Sequence, residues 1–160
     1  VAQAGDYIYA SQVPGLGIAM LYRAAAQTLT TATQTDISFD TAVLDRQGGW
    51  ALSPNPTRFT PKLAGWYAVS GFVGYAANAT GTRRAAVKKN GTYVPGGFYQ
   101  DAPASAAFTF RVFTPVTLVQ MNGTTDYFAL EAYQGSGGNL ATLSSSDGQP
   151  NLTVVYAGSA

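Results

Sequence analysis

From Tyr22 onward apolar and polar side chains alternate over short runs, each closed by glycine, proline or asparagine. A period of two predicts β-strands, because successive side chains of a strand point to opposite faces. Asp36-Ile37-Ser38-Phe39-Asp40 reads as a half-buried strand, and Val43 and Leu44 lead to a turn at Gly48-Gly49. Ala24-Ala25-Ala26 has helical propensity, but the β-branched Thr28, Thr30, Thr31, Thr33 and Thr35 follow and favour extended chain. Ser53-Pro54-Asn55-Pro56 breaks regular structure before a short strand at Arg58-Phe59-Thr60. Arg84 to Lys89 and Thr92 to Val94 flank Asn90-Gly91, a hairpin turn whose residues tolerate positive φ. Pro95-Gly96-Gly97 is expected to end that strand, leaving Phe98 to Ala107 as loop. Met121 to Thr124 offers another turn, Leu140 and Leu143 anchor a short strand in a Gly- and Ser-rich stretch, and Leu152 to Tyr156 is the last strand.

The segment from Trp66 to Tyr75 breaks the alternation in an informative way. Tyr67, Val69, Gly71, Val73 and Tyr75 share one side and Trp66, Ala68, Ser70, Phe72 and Gly74 the other, so neither face is polar. Tyr127-Phe128-Ala129-Leu130 repeats this, and Phe108 to Phe113 does so in part. An antiparallel sandwich ordinarily gives each sheet's outer face to water. Strands that are apolar on both faces need further cover, and a subunit interface supplies it. Trp66, Tyr67, Phe72, Tyr75, Phe110, Tyr127, Phe128 and Tyr156 are the candidate core and interface residues.

Residues 1–21 read differently. Tyr7-Ile8-Tyr9 and Val13-Pro14-Gly15-Leu16-Gly17 are apolar yet interrupted by residues that discourage ladder bonding, so this stretch is expected to be an extended arm ahead of a domain spanning 22–160. Tyr7, Ile8, Tyr9, Val13 and Leu16 are its candidate contacts with a neighbouring subunit or larger assembly.

Composition narrows the chemistry. With 46% apolar and 11% charged residues, 18 Gly and 8 Pro, the 160-residue chain suits one core of short strands. A formal charge of +1 gives no electrostatic case for nucleic acid or an anionic membrane surface. No run approaches the ~18 apolar residues of a spanning helix. Zero Cys and zero His remove disulfides, thiolate nucleophiles, Cys or His zinc sites and Ser-His-Asp triads. No cofactor is implied.

The order Phe39-Asp40, Trp50, Phe59-Thr60-Pro61 with Ala64-Gly65-Trp66-Tyr67, Val87 with Asn90-Gly91, Thr125 to Leu130 and Leu152 to Tyr156 resembles the C1q and TNF-like family over about 120 residues. Two departures stand out: the Pro61 to Gly65 spacing is one residue longer than the shortest family form, and Thr125 replaces the usual glycine. The resemblance implies an all-β, ten-stranded antiparallel jelly-roll sandwich that assembles as a homotrimer, with ligands on exposed loops or between subunits and no enzyme activity. Without collagen-like repeats, the chain is more similar to bacteriophage virion proteins that use this domain, and Ala4 to Ser11 loosely resembles the start of such proteins. The expected role is a capsid decoration protein on the virion surface, assembled in the host cytoplasm and bound through its arm to the major capsid protein or another virion protein. The alternative is a tail or fibre adhesin recognising host glycan through Phe98 to Ala104 and Gly135 to Gln149.

The remaining candidates each have a plainer reading. Asp36, Asp40 and Asp45 are near one another in sequence, but strand ends and backbone amides account for them better than acid-base chemistry. Asp101, Asp126 and Asp147 lack calcium-loop spacing, so no metal is assigned. Arg83-Arg84 and Lys88-Lys89 are either a solvated edge or a patch for an acidic partner. Tyr93, Tyr99 and Tyr133 are candidates for stacking on sugar, against placement in core or interface. Four Asn-x-Thr triplets match the glycosylation rule, two of them inside Asn-Gly turns that backbone conformation explains.

Overall fold

A computed structural model of the chain describes residues 17–101 and 108–159. Twelve strands run β1 (Ile18–Tyr22), β2 (Thr28–Leu29), β3 (Thr35–Asp36), β4 (Thr41–Asp45), β5 (Ala64–Tyr75), β6 (Arg83–Lys89), β7 (Thr92–Asp101), β8 (Phe110–Phe113), β9 (Thr117–Asn122), β10 (Phe128–Gln134), β11 (Leu140–Ala141) and β12 (Asn151–Gly158). No helix occurs among the described residues. The count exceeds the ten expected because β2, β3 and β11 are two-residue pairings.

All pairings are antiparallel. One sheet of six strands has the order β4-β1-β12-β5, with β8 and β9 pairing in tandem along the far side of β5; the other runs β3-β10-β6-β7. The tandem arrangement follows from length: twelve-residue β5 accommodates β9 against Ala64 to Val69 and β8 against Phe72 to Tyr75. Between them Thr114 exchanges two hydrogen bonds with Gly71, its amide donating to the Gly71 carbonyl and the Gly71 amide donating to its hydroxyl. The core fills the space between the sheets with Leu21, Ile37, Phe39, Phe59, Tyr67, Val69, Val73, Tyr75, Val87, Val112, Phe128, Leu130, Leu152 and Val154, all buried.

Three expectations need correction. The 21/22 boundary falls inside β1, where Ala19 and Leu21 are fully buried and Ile18 to Tyr22 pair with both β12 and β4. Proline and glycine interrupt the chain only as far as Gly17, after which Ile-Ala-Met-Leu alternates as a strand; residues 1–16 lie outside the described residues. Pro95-Gly96-Gly97 does not end β7. Gly96 takes a φ of +74°, the register shifts, and the strand continues to Asp101. Proline is tolerated there because β7 is an edge strand. Finally, Ile37 and Phe39 are buried as expected, but only Thr35–Asp36 is laddered.

Candidate assembly interface

The two outer faces of the sandwich differ in chemistry. On the six-stranded sheet the register sets Tyr22, Asn151, Phe72 and Phe113 in one row, and Leu44, Met20, Thr153 and Ser70 in the next. Ile18, Val155, Ala68 and Leu118 form a third row, and Trp66 with Gln120 a fourth. None of these side chains is charged. Leu118 is 62% exposed, Phe113 59%, Trp66 41% and Val155 39%, so the face is an open apolar surface. At its β8 end Phe72 and Phe113 pack together, with ring centroids 5.2 Å apart. Beyond the Phe72 row Gly74 is opposite Arg111, which pairs with Asp147, so charge on this face is confined to one ion pair at the β8 end; the rest of this sheet, twelve residues long at its centre, is the kind of surface that buries itself against another protein.

On the four-stranded sheet ion pairs roof the outer side of β10 and β6, while Tyr93 and Phe98 on the edge strand β7 stay partly open at 39% and 42%. Glu131 on β10, only 2% exposed, accepts hydrogen bonds from the Arg84 guanidinium at 3.1 Å and the Tyr93 hydroxyl at 2.8 Å, with the Lys88 ammonium at 3.5 Å. Lys88 also pairs with Asp36. Arg84 lies over the Tyr133 ring at 4.4 Å and the Phe98 ring at 5.3 Å. Burial, together with the Glu131 carboxylate, raises the Tyr93 hydroxyl to about 12. Charge on this side is long-range and internally neutralised.

This distribution divides the expected site residues. Trp66 and Phe72 are on the open apolar face. Tyr67, Tyr75 and Phe128 are instead fully buried between the sheets, and Phe110 and Tyr156 pack against that core. Tyr67 and Tyr75 carry polar ends that find partners: Tyr67 donates to the Leu63 carbonyl at 2.9 Å and Tyr75 to the Arg84 carbonyl at 2.5 Å, and burial pushes both phenols up. Tyr127 is elsewhere, at the end of the sandwich beneath the Arg58 guanidinium at 4.2 Å. The apolar look of β10 therefore needs no sister copy, since Phe128 and Leu130 face the core and Glu131 is roofed by its ion partners. Sequence reasoning missed Ile18, Met20, Leu118 and Val155; the Leu118-Val119-Gln120-Met121 alternation carried the signal for Leu118. Tyr7, Ile8, Tyr9, Val13 and Leu16 lie outside the described residues.

The paired cations and the acids hold the fold. Arg83 is buried and donates to the carbonyls of Asn78, Thr80 and Thr82, while Lys89 pairs with Asp126 at 2.8 Å. Asp45 accepts from the amides of Gln47, Gly49 and Trp50. Asp147 pairs with Arg111. Among the described residues no three His, Cys, Asp or Glu side chains gather as a metal site. Partial burial would raise the Asp126 carboxyl, but Lys89, Asn90 and the Asn122 amide outweigh it and hold it below the usual 3.8. For Asp40 the same contest is won by the amides of Ala25 and Ala24, the Thr41 hydroxyl and Arg23. A carboxylate with a depressed folded pKa contributes stability above its unfolded value and loses it as pH falls through the folded one. Thermal unfolding followed from pH 7 downward should thus show the melting temperature dropping below about pH 4, with a shallower drop in Asp126→Asn.

No protein-family model matches the chain, and no curated protein sequence matches it. Solved structures do. Murine APRIL superposes with a TM-score of 0.61 at 12% identity, covering 86% of this chain and 97% of that one. The Eiger TNF of S. frugiperda gives 0.57 at 11% identity over 89% and 93%. PRD1 vertex protein P5 gives 0.54 at 18% identity over 90% and 99%. The fold is thus the TNF-like jelly roll that the family resemblance implied, shared with a vertex protein.

Proposed function

We propose that the chain is a non-enzymatic, homotrimeric surface protein of a bacteriophage particle, a decoration protein held to the shell through residues 1–16. The open apolar outer face of the six-stranded sheet, charged only at the Arg111–Asp147 pair, carries this reading. Three copies packing these faces around a threefold axis would remove Leu118, Phe113, Trp66 and Val155 from water together, a gain of roughly 25 cal/mol per Å² of apolar surface. The likeness to a vertex protein supports the virion setting, and the lack of His, Cys or a gathered acid site among the described residues leaves catalysis without support.

Three arms on one trimer convert a weak contact into a firm one through effective concentration. Deletion must stop at Leu16, because removing Ile18 to Leu21 takes β1 out of the sheet. The chain lacking residues 1–16 is expected to form folded trimers that no longer cosediment with particles of the virus encoding it, whereas the full chain cosediments and protects the shell against heat. Undiminished cosedimentation of the truncated trimer would place attachment elsewhere.

A further inference from the structure

The nine Lys and Arg residues are unevenly satisfied. Arg23, Arg84, Lys88, Lys89 and Arg111 pair with carboxylates, and Arg83 is buried on backbone carbonyls. Arg46, Arg58 and Lys62 have no carboxylate partner among the described residues, and all three lie in the connection between β4 and β5. That connection, residues 46–63, contains no acid at all.

Arg58 and Lys62 line an open cavity of about 350 Å³ at the end of the sandwich, off the apolar sheet face, together with Trp50, Asn55, Thr124 and Tyr127. No carboxylate lines it. Its volume is at the small end of the range for ligand sites. The walls are set in advance. Asp45, at the end of β4, spends its oxygens on the amides of Gln47, Gly49 and Trp50; the Gln47 side chain accepts from the Lys62 amide, and the Thr60 amide donates to the Gly49 carbonyl. The Trp50 indole N–H donates to the Pro56 carbonyl, which fixes the ring. Arg58 is steadied over Tyr127 at 4.2 Å. A guanidinium held over a ring without a carboxylate partner loses little freedom when an anion arrives.

We propose that this cavity binds an anionic sugar: a single pyranose ring bearing a carboxylate or a phosphate. Arg58 and Lys62 take the anionic group, and Asn55 and Thr124 supply partners for ring hydroxyls. The apolar side of Trp50 takes the ring's C–H face. A flexible acidic peptide would satisfy the cations, but it would leave the aromatic wall and the amide and hydroxyl donors without complementary partners. The site stands independently of the trimer and particle readings, because all of its residues come from one chain.

The test is a titration of the full-length protein, followed by NMR chemical shifts, with glucuronic acid, glucose 6-phosphate, glucose, inorganic phosphate and N-acetylglutamate. At least one of the two acidic sugars should bind about tenfold tighter than glucose and than the ring-free anions, and which one binds distinguishes carboxylate from phosphate. Arg58→Gln combined with Lys62→Gln should remove that advantage, while Arg46→Gln, outside the lining, leaves it in place. Both altered side chains are exposed, and an unchanged strand spectrum confirms that the variant is folded. Equal binding of glucose, equal binding of N-acetylglutamate or phosphate, an unaffected double variant, or no binding by either acidic sugar would each overturn the proposal.

Discussion

Leu118→Glu should convert the proposed trimer into folded monomers. The side chain is on β9, opposite Ala68 and in the same row as Val155 and Ile18, and it points away from the core. Because Leu118 is 62% exposed in the single chain, glutamate there leaves the sandwich intact. In the assembled face the same carboxylate must be desolvated against apolar neighbours, at a cost of about 3 kcal/mol per copy. That weakens association by more than about a hundredfold. Sedimentation velocity across a concentration series reads the loss of the trimer, and an unchanged strand spectrum shows that the monomer is folded. Phe113→Glu, on the neighbouring strand β8, should behave alike. Persistence of full trimers in both variants would remove this face from the interface.

The second large effect concerns the opposite sheet. Glu131→Gln should destabilise the folded chain by about 3 kcal/mol, because it strips a buried carboxylate from between two cations. Arg84 keeps its rings and Lys88 keeps Asp36, which moderates the loss without cancelling it. Denaturant unfolding measures the change. A separate readout isolates the charge. The Tyr93 phenol, now at about 12 through burial and the Glu131 carboxylate, should titrate closer to 10.0 in the variant. A raised folded pKa means stability is intact below pH 10 and is lost as pH climbs through 12. The wild-type chain should therefore weaken over that alkaline window, and the variant should show less of this dependence.

The strand pattern was legible wherever alternation was local. β5, the Asn90-Gly91 hairpin and β12 follow from side-chain period and turn chemistry, and Asn90 does take a positive φ of 52°. What local pattern does not carry is which surface covers a strand that is apolar on both faces. For β5 the answer is the core on one side and an open face on the other; for β10 it is the core and an ionic roof. That roof joins residues 38 and 47 positions apart, Tyr93 and Arg84 with Glu131, so the likeness of Tyr127 and Phe128 to Trp66 is one of composition that pairing dissolves. The edge of the arm is hidden from local pattern for a related reason: Pro14 and Gly15 speak for their own neighbourhood, and the buried Ala19 and Leu21 belong to a strand completed by β12, more than a hundred residues away. The cations told the same story. Arg83-Arg84 and Lys88-Lys89 stand out as pairs in sequence yet are satisfied in the fold, while the scattered Arg46, Arg58 and Lys62 are the ones without carboxylate partners among the described residues.

Sedimentation equilibrium of the unaltered chain at micromolar concentration bears most directly on the central claim that the apolar sheet face is closed by sister copies. The account predicts a species containing three 16.7 kDa chains. A stable single chain at that concentration would contradict it.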